Sequence, residues 1–549
     1  MSSSSIEEGF AALRDGDIAS ARRKFEAALA EKESGRAFEG LGEALYLAQE
    51  YGAAAHQYER AYSLYRRDRD TRAAGRAART AGWITGNVLG DWAVQNGWFR
   101  RACSILETAG ENSPEHGWVQ FFRAVTEPDA EQQEAMFREA VEIGRLFGDP
   151  DIEFEALGQV GGVMIMTGRV EEGMVLLDEA LAAVCAGEMN ETSTSDSIFC
   201  GFFWACELTH DVRRAEQWMR AARELMKQRN VIAAFCRAHY GGILTAAGRW
   251  NEAESELLDA TRNFESGMPE RRAAAMIRLA DLRVRQGRLE EATVLLEGLG
   301  QHPDAVRTVA DLHLARGETS LARDLLERST ADPDDSLPNV GESTMVGPLL
   351  SLLVDVYLEE ERFDEAERSA QRLHRQAQAQ RGPYLKAAAH LAEGRICVAT
   401  GRGDARDSLH EALEGFARAE LPLELARTRL EMARASWGSS PEVAVVHAKT
   451  ALGEFERLDA RRYVDSAAAL LRSLGAPVRT GPKGTGSLTK RETEILALIG
   501  AGLSNPEIAD RLFITRKTVE HHVGSLLSKL GLRNRAEAAA YATREKISP

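Results

Sequence analysis

Small and large apolar residues recur at fixed helical spacings along most of the chain. The recurring unit is a small residue, a large apolar residue four positions later, and a second small residue three positions after that. These three positions share one face of an α-helix. Clear copies are Ala21/Phe25/Ala28, Ala54/Tyr58/Ala61, Ala102/Leu106/Ala109, Ala215/Met219/Ala222, Ala253/Leu257/Ala260, Ala322/Leu326/Ser329, Ala405/Leu409/Ala412 and Ala444/Ala448/Ala451. They predict a long series of helices that bury similar faces.

Glycines mark predicted helix ends between many of these copies. Gly97, Gly168, Gly248 and Gly287 each stand just ahead of a bulky residue and a new helical pattern. A glycine can adopt the left-handed conformation that closes a helix. One helix pair cannot bury its apolar face alone, whereas a stack of pairs can. The pattern therefore predicts an all-α fold whose residues 1–475 form an α-solenoid.

The repeats resemble the tetratricopeptide repeat over residues 6–475, in roughly twelve helix pairs. The best match, at the spacing of that family, consists of Phe38, Leu41, Gly42, Ala54, Tyr58 and Ala61. Most copies lack the terminal proline of the family, and their spacing is not constant. The resemblance therefore predicts the helix pairs and leaves the curvature of the array open. An irregular all-helical bundle is the alternative.

A change of composition and charge separates this array from the C-terminal tail. Glycine, proline and threonine dominate residues 476–487, which predicts a flexible linker. Residues 1–475 hold 56 basic and 77 acidic side chains, a net charge of −21. Residues 488–549 hold 10 basic and 7 acidic side chains, a net charge of +3. An acidic protein repels nucleic acids and anionic membranes, so any DNA contact must come from the tail.

Helix-capping residues divide the tail into four short helices. Thr489 and Ser504 open capping boxes that Glu492 and Glu507 complete, and Thr515 and Asn534 cap two further helices. The third helix has one apolar stripe, formed by Val519, Val523, Leu526, Leu527 and Leu530. Two short helices joined by a tight turn predict a helix-turn-helix in residues 488–549.

The tail resembles the LuxR-type (GerE-like) DNA-binding domain. The matching residues are Leu488-Thr489-x-Arg491-Glu492, Gly502-x-Ser504-Asn505-x-Glu507-Ile508-Ala509, Thr518-Val519-x-x-His522 and Lys529-Leu530-Gly531. The resemblance implies that Glu520, His521 and Gly524 face the bases of double-stranded DNA. His522 either reaches a phosphate or holds the helix against its neighbour. The full set of expected DNA contacts is Ser504, Asn505, Arg516, Lys517, Thr518, Glu520, His521, His522, Gly524, Ser525, Lys529, Arg533 and Arg535.

Other candidate chemistry is sparse. Cys206, His210, Cys236 and His239 could hold zinc if they met in space, but ordinary buried cysteines and polar histidines are the simpler interpretation. The six cysteines form no CxxC pair, which favours reduced thiols in a cytoplasm. Two aromatic clusters, Trp83–Phe122 and Phe199–Trp204, either pack between repeats or line a ligand groove. No catalytic constellation stands out, so we expect no enzyme activity, cofactor or metal.

These features together predict a bacterial transcription regulator. The array would sense a ligand or a protein partner, because neither a phosphate loop nor a phosphoacceptor receiver occurs in the sequence. The tail would bind DNA as a homodimer, with RNA polymerase as a further candidate partner. No apolar stretch reaches the length of a membrane span. The alternative function is a protein-interaction scaffold whose tail does not bind DNA.

Overall fold

The computed structural model describes most of the chain. The described residues are 2–109, 114–190, 192–221, 234–263, 269–331, 344–380, 382–476, 488, 490–530, 532, 534–544 and 547. They form helices and connecting turns, and no strand occurs among them. None of the described helices combines the length and apolarity needed to cross a membrane.

Among the described residues, twenty-five α-helices belong to the array and four to the tail. The first half of the array contains α1 Ser2–Arg14, α2 Ile18–Glu31, α3 Gly35–Leu47, α4 Tyr51–Arg67, α5 Thr71–Trp83, α6 Trp92–Leu106, α7 Pro114–Val125, α8 Ala130–Phe147, α9 Pro150–Met166, α10 Val170–Ala186, α11 Thr192–Thr209 and α12 Val212–Ala221. The second half contains α13 Ala234–Ala246, α14 Trp250–Asn263, α15 Pro269–Gln286, α16 Leu289–Leu295, α17 Val306–Ala315, α18 Thr319–Thr330, α19 Val346–Glu359, α20 Phe363–Gln380, α21 Pro383–Thr400, α22 Arg406–Arg418, α23 Pro422–Ser436, α24 Pro441–Leu458 and α25 Arg461–Ser473. The tail contains α26 Lys490–Gly500, α27 Asn505–Leu512, α28 Arg516–Leu530 and α29 Arg535–Arg544.

The array is a stack of helical hairpins, as the sequence predicts. Consecutive helices pack against each other, and odd-numbered helices also contact the next odd-numbered helix in most of the array. The odd helices therefore form one layer and the even helices the other. The small residues of the repeated pattern are fully buried where the two layers meet, as at Ala21, Ala28, Ala253 and Ala260. The described helices of the array thus form twelve pairs followed by α25, in agreement with the roughly twelve pairs predicted.

Three of the four predicted glycine breaks are helix ends, and one is not. Gly168, Gly248 and Gly287 have φ values of +90°, +73° and +74°. The prediction for Gly97 is wrong, because this residue lies within α6. A side chain at Gly97 would meet nothing within 4 Å, so the helix continues past it along an open surface. The left-handed glycine of this connection is Gly90, with φ +88°.

The array winds tightly enough that residues far apart in sequence touch. The Tyr46 hydroxyl donates to Asp196 over 2.6 Å, and the Thr344 hydroxyl donates to the Ile165 carbonyl over 2.5 Å. Further along, Arg462 forms an ion pair with Asp311 at 3.2 Å. The array therefore winds into a superhelix in which odd helices several repeats apart touch one another, and the odd helices lie on its inner side.

Candidate nucleic-acid interface and its contact with the repeats

The four tail helices enclose a small core of their own. The buried residues of this core include Ile495, Leu496, Leu498, Ile499, Ile508, Ala509, Val519 and Leu526. Val519 and Leu526 belong to the predicted apolar stripe, whose other members, Val523, Leu527 and Leu530, are partly buried. Glu507 accepts from the backbone N–H of Ser504 over 2.7 Å, which completes the predicted capping box of α27. Thr515 and Asn534 cap α28 and α29 as predicted. Thr489 lies outside the described residues.

One face of α28 is open to solvent. Lys517, Glu520, His521 and Gly524 are all exposed, and no atom lies within 4 Å of a Cβ placed at Gly524. The Glu520 carboxylate accepts from Arg516 Nε over 2.9 Å. The structure thus places the three expected base-reading residues, Glu520, His521 and Gly524, on one exposed ridge of α28, where the Arg516 guanidinium is hydrogen-bonded to Glu520.

Other expected DNA contacts make hydrogen bonds within the tail. The Ser525 hydroxyl donates to Glu492 over 2.6 Å. Arg535 donates to Asn505 Oδ1 over 2.6 Å and also to the Leu503 carbonyl, so two of the expected residues hold each other. The hydroxyl oxygens of Thr518 and Thr515 are 2.8 Å apart and share a hydrogen bond. Ser504 is exposed at the start of α27. Arg533 and the side chain of Lys529 lie outside the described residues.

His522 lies on the opposite side of α28 from the open face. Its imidazole is partly buried, and burial lowers its pKa, with a further lowering by the Arg491 guanidinium. Glu291 and Arg288, both from the array, also act on this pKa. His522 therefore faces a group of charges shared by the tail and the array.

Arg491 is the centre of this contact between tail and array. Its Nη2 donates to Glu291 of the array over 3.0 Å and to the Leu512 carbonyl over 2.9 Å. Its Nη1 donates to Glu494 over 2.8 Å. Arg491 and Glu291 are only 4% and 5% exposed, which removes their ion pair from the screening of solvent.

Glu291 is already surrounded by cations of the array. Arg288 Nη2 lies 2.6 Å from Glu291 Oε2, and Arg283 Nε lies 3.1 Å from the same oxygen. Arg283 also pairs with buried Glu254. Burial, together with the charges of Arg283 and Arg491, lowers the pKa of Arg288 to about 10. Because the tail adds Glu494 together with Arg491, docking brings one charge of each sign to the cluster.

Phe513 makes the apolar part of the same contact. This residue follows α27 in a left-handed conformation, with φ +53°. Its ring packs against the hydrophobic cluster of the C-terminal half of the array, which includes Leu282 and Phe455. In the sequence, Phe513 lies in the turn between two tail helices and has no predicted partner. A large apolar residue at a turn position that favours glycine or asparagine is the feature of the sequence that indicates a contact outside the tail.

The remaining candidate sites are structural. His210 stacks on Tyr384 with ring centroids 3.9 Å apart, whereas His239 Nδ1 lies 2.7 Å from Glu207. No group of three or more metal-binding side chains is found in the part of the chain that the structure describes. In the aromatic clusters, Phe99 stacks on Phe122 and Phe202 packs edge-on to Phe203, all four buried. These rings pack between repeats, Trp92 is exposed, and rings of the first cluster also line a small cavity of about 20 Å³.

Known proteins resemble the two regions of this chain separately. Two solved structures align along most of it, the APC/C hetero-tetramer Cut9-Hcn1 and yeast Tom70, at 12% and 10% identity. They cover 97% and 86% of this chain and align over 95% and 96% of their own, but their TM-scores are only 0.33 and 0.26. The repeat architecture therefore rests on the helix packing described above.

The tail matches known proteins closely. Transcriptional regulatory proteins LnrK and LiaR of Bacillus subtilis are 51% and 54% identical to it over 61 residues, which is 11% of this chain and 28% and 29% of theirs. The DNA-binding transcriptional activator DevR/DosR of Mycobacterium tuberculosis is 44% identical over 84 residues, 15% of this chain and 38% of its own. The chain thus spans well under half the length of these relatives. Residues 486–542 match the family described as bacterial regulatory proteins, luxR family, and the C-terminal tail is therefore a LuxR-family helix-turn-helix domain.

Proposed function

We propose that this protein is a sequence-specific DNA-binding transcription regulator. The observation that carries the proposal is the open ridge of α28 within a LuxR-family domain. A helix fits the major groove, where each base pair presents a distinct pattern of donors and acceptors. Glu520 is suited to accept from a cytosine amino group, and His521 to donate to a guanine. The relatives named as transcription regulators support the same function.

DNA binding requires two tails. One tail of net charge +3 neutralises few phosphates, and two copies on paired half-sites double that number. The protein therefore binds its operator as a homodimer, and RNA polymerase is the natural target of an activator placed there. Lys517 and Arg516 supply phosphate contacts at the start of α28.

The repeat array controls the tail. The contact of Arg491 and Phe513 with the array supports this part of the proposal. The base-reading ridge stays exposed in that contact, so the restraint does not come from covering it. The restraint comes instead from where docking holds the tail. A duplex bound to the ridge lies beside an array of net charge −21, which repels it. Docking also fixes the distance between the two tails of a dimer, so they cannot adjust to the spacing of the half-sites. A ligand or protein partner that favours the undocked arrangement then promotes DNA binding.

DNA binding is tested with two substitutions in the full-length protein. Selection from random duplexes identifies the preferred site, and binding is then measured at several salt concentrations. Lys517→Ala weakens binding to all sequences alike and lowers the salt dependence. His521→Ala relaxes the preference at one base pair, at a cost of roughly 1–3 kcal/mol there. If the protein shows no preference for any sequence even at low salt, the scaffold function takes the place of this proposal.

Control by the array is tested at Phe513. Phe513→Asn removes the ring that packs on the array, and asparagine tolerates the left-handed conformation. We expect the full-length variant to bind the preferred site more tightly than the unchanged protein, by about three- to tenfold, which matches a lost contact of roughly 1 kcal/mol.

The matched control is the same substitution in an artificially dimerised tail without the array. There Phe513→Asn should leave the affinity for the preferred site unchanged. Equal affinity of the unchanged full-length protein and the dimerised tail, with no ligand added, would show that the array imposes no restraint.

A further inference from the structure

The inner space of the superhelix contains a polar cavity. It has a volume of about 220 Å³, below the usual range for drug-sized ligands. Helices α15, α17, α19, α21, α23 and α25 contribute most of its lining, so it lies on the inner side of the odd-helix layer. Its guanidinium groups belong to Arg285, Arg307, Arg395, Arg427, Arg434 and Arg462. Two tyrosines, Tyr384 and Tyr463, add aromatic surface.

The carboxylates of this region are shared between arginines. Asp355 accepts from both Arg395 and Arg427, the latter over 2.7 Å. Glu431 accepts from Arg434 over 2.6 Å and lies 3.3 Å from Arg395 Nε. Each guanidinium carries five N–H donors in a planar fork, whereas a carboxylate that binds two guanidiniums has little capacity left. Asp311 and Glu424 likewise pair with Arg462 and Arg427, so within the described part of the chain four of the five lining carboxylates are engaged and only Glu359 is not paired with a lining arginine. The six guanidiniums therefore provide most of the hydrogen-bonding groups that face a ligand.

The electrostatics of the neighbouring groups are mixed, because nearby carboxylates raise the pKa values of Arg285, Arg427 and Arg462. Burial, together with the charges of Arg307 and Arg285, lowers the pKa of His210, which stacks on Tyr384, to about 4. Burial also lowers the pKa of Arg395, where repulsion by Arg427 and Arg434 opposes the attraction of Glu431. His210 Nδ1 is buried with no hydrogen-bond partner among the described residues. An unsatisfied polar atom therefore lies behind Tyr384, next to a cavity lined by six guanidiniums and five carboxylates.

We propose that the cavity binds a small organic anion with two or more carboxylate or phosphate groups. Bidentate guanidinium contacts are strong and geometrically selective for such groups, which explains the concentration of arginine rather than lysine. The cavity volume restricts the ligand to the size of a small metabolite. Tyr463 lies beneath Arg427 and Arg462, whose guanidinium carbons are 5.7 and 5.6 Å from its ring centroid, and this stacking holds both forks in place.

The site deepens the proposed function, because one helix connects it to the tail. Arg285 on α15 lines the cavity, and Arg283 on the same helix pairs with Glu291, which holds Arg491. Arg285 forms an ion pair with Asp281 of the same helix at 2.8 Å. An anion that replaces Asp281 as the partner of Arg285 changes the contacts of α15, the helix that also carries Arg283. This anion is the ligand that the proposed control of the tail requires.

Calorimetric titration of the full-length protein without DNA tests the site. The probes are succinate, citrate and inorganic phosphate at constant ionic strength, with uncharged succinamide as the negative control. We expect saturable binding of at least one dianionic or trianionic probe, with a Kd below about 10 mM. The double variant Arg434→Gln/Arg462→Gln should weaken it at least about tenfold. The matched control Arg457→Gln removes an exposed arginine on α24 and should change nothing.

The outcomes separate the site from the proposed control of the tail. Lack of saturable binding by all three anionic probes, or equal binding by the double variant, overturns the anion site. A tetra-aspartate peptide that binds more tightly than every small probe assigns the cavity to a protein partner and overturns the small-molecule proposal. Binding of the probe with no change in DNA affinity leaves the site standing and overturns only its link to the tail.

Discussion

At the residue scale, neighbouring charges decide what burial does to an ionisable group. Burial alone would raise the pKa of Glu207, but Arg278 and His239 outweigh it and lower this pKa to about 2. Glu155 is equally deep in the array and receives a hydrogen bond from Ser197 over 2.7 Å, without a comparable cation. Burial therefore raises the pKa of Glu155 to about 7. Two glutamates of one array thus favour opposite protonation states near neutral pH.

The substitution Glu155→Gln should stabilise the array at alkaline pH. The pKa of Glu155 is about 7 in the folded state and 4.5 in the unfolded state. The folded state therefore holds this proton more tightly, and that stabilisation is fully present below pH 4.5 and is lost as the pH rises through 7. Removing the charge should increase the free energy of unfolding at pH 8 by about 2 kcal/mol and leave it nearly unchanged at pH 5. Thermal unfolding at both pH values measures this difference.

Two controls accompany that measurement. Glu207→Gln should act oppositely and lower the Tm at pH 7, because the ionised carboxylate pairs with Arg278 and stabilises the fold above pH 4.5. The exposed residue Glu142 provides a neutral comparison, in which Glu142→Gln has little effect at either pH. A Glu155→Gln variant that is less stable at pH 8 would contradict the assignment.

At the element scale, side-chain caps set where the tail helices begin. Asn534 lies before α29 and accepts from the Glu537 N–H over 3.0 Å. It belongs to none of the surfaces discussed above, so it isolates the contribution of a cap. Ser504 lies at the start of α27, where its backbone N–H and its hydroxyl both donate to Glu507, and it is also an expected DNA contact.

The substitution Asn534→Ala should destabilise the tail by about 1 kcal/mol, because a backbone donor of α29 loses its partner. Asn534→Asp keeps an acceptor oxygen at that position and should have a much smaller effect. Chemical unfolding of the tail, followed by circular dichroism, compares the two variants. Equal losses in both would mean that the side chain of Asn534 acts through something other than capping.

At the scale of the whole molecule, the tail has its own core and only a small contact with the array. The four tail helices bury Ile495, Val519 and Leu526 among themselves, whereas Arg491 and Phe513 reach outward. A domain with a separate core folds independently, and a narrow contact does not make the two parts one cooperative unit.

Limited trypsin digestion should therefore cut first after Arg479 or Lys483 and release a folded fragment, 480–549 or 484–549, that contains the tail. Both sites lie in the Gly- and Pro-rich segment that predicts a linker. Mass spectrometry identifies the cut, and the circular dichroism of the purified fragment shows whether it is helical. An unfolded fragment, or first cuts inside the array, would contradict an independent tail.

The sequence by itself determined the helices, their pairing and the identity of the tail. A helix depends on neighbours three and four positions away, so the alternation at Ala21, Phe25 and Ala28 already specifies a buried helical face. Caps such as Thr515 and Asn534 are equally local, and the LuxR-type motif lies within one short segment. These features were predicted because all their interactions lie close together in the chain.

Only the tertiary structure decided how the array winds and where the tail contacts it. The angle between successive helix pairs depends on the packing of many side chains at once, and small differences accumulate along the array. Arg427 reaches Asp355 across 72 positions, and Arg491 reaches Glu291 across 200. No periodicity in the sequence encodes such distances. The arginine-lined cavity and the contact between tail and array therefore become visible only when the superhelix is complete.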